Sequence, residues 1–117
     1  MKTHKDLNVW KTSMELAKEA YQVTEKFPKS EIYGLTSQIR RATVSVPSNI
    51  SEGAARNQKG DFIRFLHISL GSLAELETQW LLAADLNYIN QLNLSKIINK
   101  INLIRAQLAG LIKTLKT

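Results

Sequence analysis

Between Tyr33 and Gly53 the chain carries a helix-spaced apolar repeat on both sides of a proline, with an arginine pair set into it. At about 100° per residue, Leu35, Ile39, Ala42, Val46, Ile50 and Gly53 share one face, while Arg41, Ser45, Ser48 and Glu52 fall on the other. This is an amphipathic helix, and it has to bury its stripe against other elements. Pro47 costs about 3 kcal/mol in a helix interior, because it has no N–H to donate and its ring crowds the carbonyl of Thr43. The sequence therefore predicts a kink at Pro47. The hydroxyls of Ser45, Ser48 and Ser51 and the amide of Asn49 stand close enough to bond the backbone groups it frees.

The rest of the chain offers helices as partners. Five Gly and two Pro in 117 residues leave little material for a turn-rich β fold. The first helix is predicted from about Leu7 to Lys26, with Leu7, Trp10, Met14, Ala17 and Tyr21 as its main stripe, ending before Phe27-Pro28. Lys29 to Glu31 make a turn, and the second helix runs from about Tyr33 to Ala55. After the polar loop Arg56 to Gly60, Asp61 reads as the N-cap of a third helix reaching about Leu86. Its core stripe is Phe62, Phe65, Leu66, Ser69, Leu73, Leu76, Trp80 and Ala83, and Asn87 to Asn90 close it. The fourth has the cleanest pattern: Leu94, Ile97, Ile101, Ile104, Leu108, Leu111 and Leu115 alternate by three and four. Short loops between long helices imply an all-α, up-down four-helix bundle, with residues 1–117 as a single domain.

Two helices have more apolar surface than one core can hide. The first also carries Val9, Leu16, Ala20, Val23 and Phe27 roughly opposite its main stripe. The third carries Ile63, Leu70, Gly71, Ala74, Leu81 and Leu82 behind its own. From these, Val9, Leu16, Val23, Leu70, Gly71, Ala74 and Leu81 are the candidate contacts with further copies of the chain, with Gly71 and Ala74 allowing close approach.

Charge is unevenly spread. The net charge is +1 for residues 1–33, +3 for 34–60, −3 for 61–85 and +5 for 86–117, and the last segment contains no acid. A pI near 9.7 with cations concentrated on two elements is the footprint of a nucleic-acid binder, since each neutralised phosphate releases condensed counterions. The candidate RNA- or DNA-binding residues are Arg40, Arg41, Arg56, Lys59, Lys96, Lys100 and Arg105. Guanidinium forks match phosphate geometry, which singles out Arg40 and Arg41. The competing role for that pair is an ion pair with Glu52, Glu75 or Glu77. The competing role for the whole chain is a structural or protein-interaction module whose charge serves solubility.

Catalytic patterns are missing. Neither His4 nor His67 has Glu three residues before it, as a di-iron bundle requires, so no metal is expected. Glu75 and Glu77 sit about 200° apart on a helix and cannot act as an acid/base pair within one subunit. There is no nucleophile elbow, P-loop or dinucleotide fingerprint, and no Cys for a thiol nucleophile, a disulfide or a thiolate metal site. A non-enzyme without cofactors is expected. With no secretory h-region and no run approaching ~20 apolar residues, the expectation is a cytoplasmic protein with no membrane partner.

Several motifs occur together in a recognisable order: Asp6-Leu7-Asn8-Val9-Trp10, Phe27-Pro28, the segment Tyr33 to Gly53, Phe65-Leu66, and Gly71 to Gln79. In these the chain resembles the four-helix-bundle proteins encoded in intervening sequences of bacterial 23S ribosomal RNA genes, over about residues 6–89. Ser13, Thr43 and Ser51 stand where Ala is usual, and Val46 where Ile is usual. The resemblance implies a left-handed bundle, a ring-like pentameric homo-oligomer and a bacterial cytoplasmic setting. More distantly, the chain is similar to accessory bundle proteins of diversity-generating retroelements, which bind nucleic acid through basic surfaces. The resemblance carries over no catalytic or binding residue.

Overall fold

The computed structural model describes residues 3–117. Four helices account for most of them: α1 (Asn8–Thr24), α2 (Leu35–Ala55), α3 (Lys59–Asp85) and α4 (Gln91–Lys116). No strand occurs among the described residues. Consecutive helices pack against each other and α4 returns to α1, while the diagonal pairs α1–α3 and α2–α4 do not meet. The result is an up-down four-helix bundle, 44 Å long and 24 by 20 Å across. One end gathers the starts of α1 and α3 with the ends of α2 and α4. The other holds the α1–α2 and α3–α4 connections.

Helix boundaries follow local chemistry. Asn90 caps α4, its side-chain oxygen accepting from the Asn93 N–H at 2.8 Å. Gly34 has no side chain to cap α2, and Glu31 reaches forward instead, accepting from the Leu35 N–H at 3.0 Å. Asn57 and Asn87, with φ of 58° and 63°, supply the left-handed residues beyond α2 and α3. Gln58 is then already extended, so α3 starts at Lys59, earlier than the sequence implies. Asp61 is thus no N-cap: it lies in the first turn, where its charge suits the helix dipole, 3.8 Å from Arg64.

The core stripes read for α2 and α3 are buried in full. In α4 the buried row drifts from Leu108 to Ile112, leaving Leu111 and Leu115 half-buried, because a straight helix slips about 20° per heptad against a 3.5-residue repeat. In α1 the assignment reverses. Val9, Ser13, Leu16, Ala20 and Thr24 face the core, while Met14 and Tyr21 of the supposed main stripe are each 45 % exposed. Two polar residues make that row look weak, yet Ser13 and Thr24 donate to the carbonyls of Val9 and Ala20, each at 2.7 Å, so burying them leaves no hydroxyl unbonded. The row continues into Phe27, whose ring meets Trp80 edge-on at 5.9 Å and Tyr88 at 5.4 Å.

Pro47 lies buried within the span of α2. Side-chain bonds gather around it, but on carbonyls other than that of Thr43, the one it frees: the Asn49 amide donates to the Ser45 carbonyl at 2.8 Å, and the Ser51 hydroxyl to that of Ser48 at 3.0 Å. Ser45 instead pairs with the Ser72 hydroxyl of α3 at 2.9 Å. A fourth bond comes from another helix, Ser69 donating to the Val46 carbonyl at 2.9 Å. Close approach of α2 and α3 requires Gly53: a Cβ there would stand 2.7 Å from the Cβ of Phe65.

Candidate functional site

The seven candidate phosphate-binding cations do not form one surface. Arg40 is tied to α1: its Nε donates to the Thr24 hydroxyl at 2.9 Å, its guanidinium pairs with Glu25 at 3.3 Å, and it stacks 4.5 Å over the Tyr21 ring. That is a structural role, with Glu25 as partner in place of Glu52, Glu75 or Glu77. Arg56 pairs with Glu52 at 3.2 Å one helical turn back. Lys100 bridges Glu19 at 2.6 Å and Glu15 at 3.5 Å, clamping α4 to α1. Arg105 holds Glu77 of α3 at 3.2 Å. Acidic α3 is therefore paired with α4, and not with the arginines of α2.

Arg41, Lys59 and Lys96 remain exposed and outside any ion pair among the described residues. They lie far apart. Arg41 borders a groove between α2 and α3 with Gln38, Ser45, Glu75 and Gln79. Lys96 borders the opposite groove, between α4 and α1. Lys59 opens α3 at the end of the bundle that carries the α2–α3 loop.

Three groups have displaced titration. Glu31 is held below its ordinary value, first by the Leu35 N–H and then by the Tyr88 hydroxyl, which donates to it at 2.9 Å. The same bond raises the Tyr88 phenol. Lys100 is raised, chiefly by its hydrogen bond to Glu19, against partial desolvation. All three tie elements of the bundle together. Among the described residues, no group of three His, Cys, Asp or Glu is placed to hold a metal ion. Nor, among the described residues, is any helix long and apolar enough to cross a membrane.

The self-association candidates divide sharply. Val9 and Leu16 are core residues of the chain itself and have no surface to give another copy, and Val23 and Leu70 are half-buried against that core. Gly71, Ala74 and Leu81 are exposed on the outer face of α3, and beyond its own helical turn no described residue lies within 4 Å of where a Gly71 Cβ would stand. The surface missed on α1 is the row Met14, Ala17 and Tyr21, which lines a groove of about 780 Å³ with Lys100. Both stripes of α1 stand in the sequence, and it is the row through Val9, Leu16 and Ala20, not the row through Met14 and Tyr21, that turns inward. His67 is exposed, and His4 packs edge-on against Trp10 at 5.2 Å.

Residues 5–110 match the family model described as 23S rRNA-intervening sequence protein. Among solved structures, a protein of unknown function from the S23 ribosomal protein family of Bacteroides thetaiotaomicron superposes with a TM-score of 0.80 at 27% identity. The alignment covers 90% of this chain and 98% of that one. No curated protein matches.

Proposed function

The chain belongs to the 23S rRNA-intervening sequence protein family, and the solved structure it is similar to is of a protein of unknown function; we propose that it is a non-enzymatic, self-associating cytoplasmic bundle that binds RNA or DNA through phosphates. One observation carries the nucleic-acid reading. Ten of the fifteen described Lys and Arg make no ion pair, whereas six of the ten acids do, Asp6 and Glu31 accept backbone N–H bonds, and Glu75 and Asp85 have neither. The positive excess is thus not spent inside the fold. Phosphate contacts of this kind position a protein on a nucleic acid with little base readout.

Self-association is supported by the outer rows of α1 and α3, where Met14, Tyr21, Leu81 and Leu82 remain exposed. Placing charges there with Ala74→Glu and Leu81→Glu should dissociate the particle without unfolding the chain, since both positions face outward. A purification that reports native mass and bound nucleic acid together tests both halves. A multimeric particle carrying RNA or DNA that is released steeply with salt is expected. A monomer at micromolar concentration overturns self-association, and a nucleic-acid-free particle that ignores added RNA and DNA leaves a protein-interaction module.

A further inference from the structure

The ten unpaired cations divide mainly between the two ends of the bundle, and the two ends differ in the acids that accompany them. Up-down topology brings the start of α1, the α2–α3 loop and the end of α4 to one end of the bundle. Lys5 precedes α1, Lys11 lies in its first turn, Lys59 opens α3, and Lys113 and Lys116 lie in the last turn of α4. All five are exposed. Every acidic side chain at that end is already engaged: Asp6 accepts from the Thr3 N–H at 3.1 Å, Glu52 holds Arg56, and Asp61 holds Arg64. Of the other five, Lys26 and Lys29 lie in the connection at the far end, Arg41 and Lys96 in the second turns of the helices that start there, and Lys18 midway along α1; Asp85 ends α3 at that end outside any ion pair, and Glu75 lines the same groove as Arg41.

We propose that the lysine-rich end of the bundle, and not its helical flanks, is the surface that seats a nucleic-acid backbone. This rests on the nucleic-acid reading above and gives it a place. Physical scale supports it. An end 24 Å across spans a stretch of duplex that carries about 14 phosphates, at one charge per ~1.7 Å of axis with both strands counted, and those on its near side are within reach of the five lysines. Lysine is a compact cation on a flexible stem, suited to phosphates of varying position and carrying no base code. The sequence hides this end, because its five lysines come from three separate stretches and only Lys59 lies near another candidate in the chain.

A charge-matched pair of variants tests the placement. One carries Gln at Lys5, Lys11, Lys59, Lys113 and Lys116; the other carries Gln at Lys18, Lys26, Lys29, Arg41 and Lys96. Each loses five positive charges from exposed positions, so circular dichroism should show both folded. Binding to RNA and DNA duplexes of about 24 base pairs is read by fluorescence anisotropy across salt concentrations. The first variant should lose at least about 100-fold in affinity at ~50 mM salt and flatten the log–log salt slope by up to about 4.5 units, 0.9 for each lost contact. The second should change affinity by less than about 5-fold. Equal losses in the two variants, or a larger loss in the second, would overturn the placement while leaving nucleic-acid binding intact. Wild-type protein that binds neither duplex would overturn the nucleic-acid reading itself.

Discussion

The α2–α3 pair and the α1–α4 pair are built by different means. Between α2 and α3 the contact is close and uncharged: Gly53 lets the backbones approach, and Ser69–Val46 and Ser45–Ser72 bond across the seam. Between α1 and α4 the contact is looser and ionic, with Lys100 spanning to Glu15 and Glu19 beside an open groove. Where small residues bring helices together, the buried row follows from the sequence pattern. Where a helix carries two apolar rows and a long charged side chain spans the gap, the pattern alone does not say which row turns inward.

The largest effect should come from the reversed assignment in α1. Leu16→Ala should cost about 2–5 kcal/mol in urea unfolding, as for a fully buried leucine, and Met14→Ala less than about 1 kcal/mol. The opposite order would return Met14 to the core.

Next comes the close seam. Gly53→Val should cost about 1–3 kcal/mol by forcing α2 away from Phe65. Gly71→Ala, with open space around it, should instead stabilise the chain by up to about 1 kcal/mol through helix propensity. Equal melting shifts in the two variants would remove the distinction between the seam and the outer face of α3.

A smaller contrast separates ionic from neutral clamping. Lys100→Met should cost less than about 1 kcal/mol, and the loss should shrink in high salt. Ser69→Ala should cost about 1 kcal/mol whatever the salt, because the bond it removes is neutral and buried. A salt-independent Lys100→Met effect would mean that the lysine stem packs and its charge does not matter.

The smallest effect lies where the two pairs are tied end to end. Glu31 titrates below its ordinary 4.5 because the Leu35 N–H, and then the Tyr88 hydroxyl, donate to its carboxylate. A carboxylate lowered on folding adds stability above its unfolded value, and that contribution is lost as pH falls through the folded value. Glu31→Gln should therefore be less stable than wild type at neutral pH and converge with it below pH 4.5. A gap between their melting curves that stays constant through that acid range would show that the charge of Glu31 contributes nothing.

Four helices, their order and the buried rows of α2 and α3 were legible in the sequence, because a 3.6-residue apolar repeat survives whatever it packs against. Arg40 and the lysine-rich end were not. An arginine beside small residues looks free until α1 brings Thr24 and Glu25 to it. Lysines separated by tens of residues become neighbours only when antiparallel helices fold their termini to one end. Sequence alone determined what the helices are and which of them are amphipathic, since those properties are local. Tertiary structure decided which of two apolar rows is buried and which charges are left over. Both depend on partners distant in the chain, and burial and ion pairing are decided only when those partners meet.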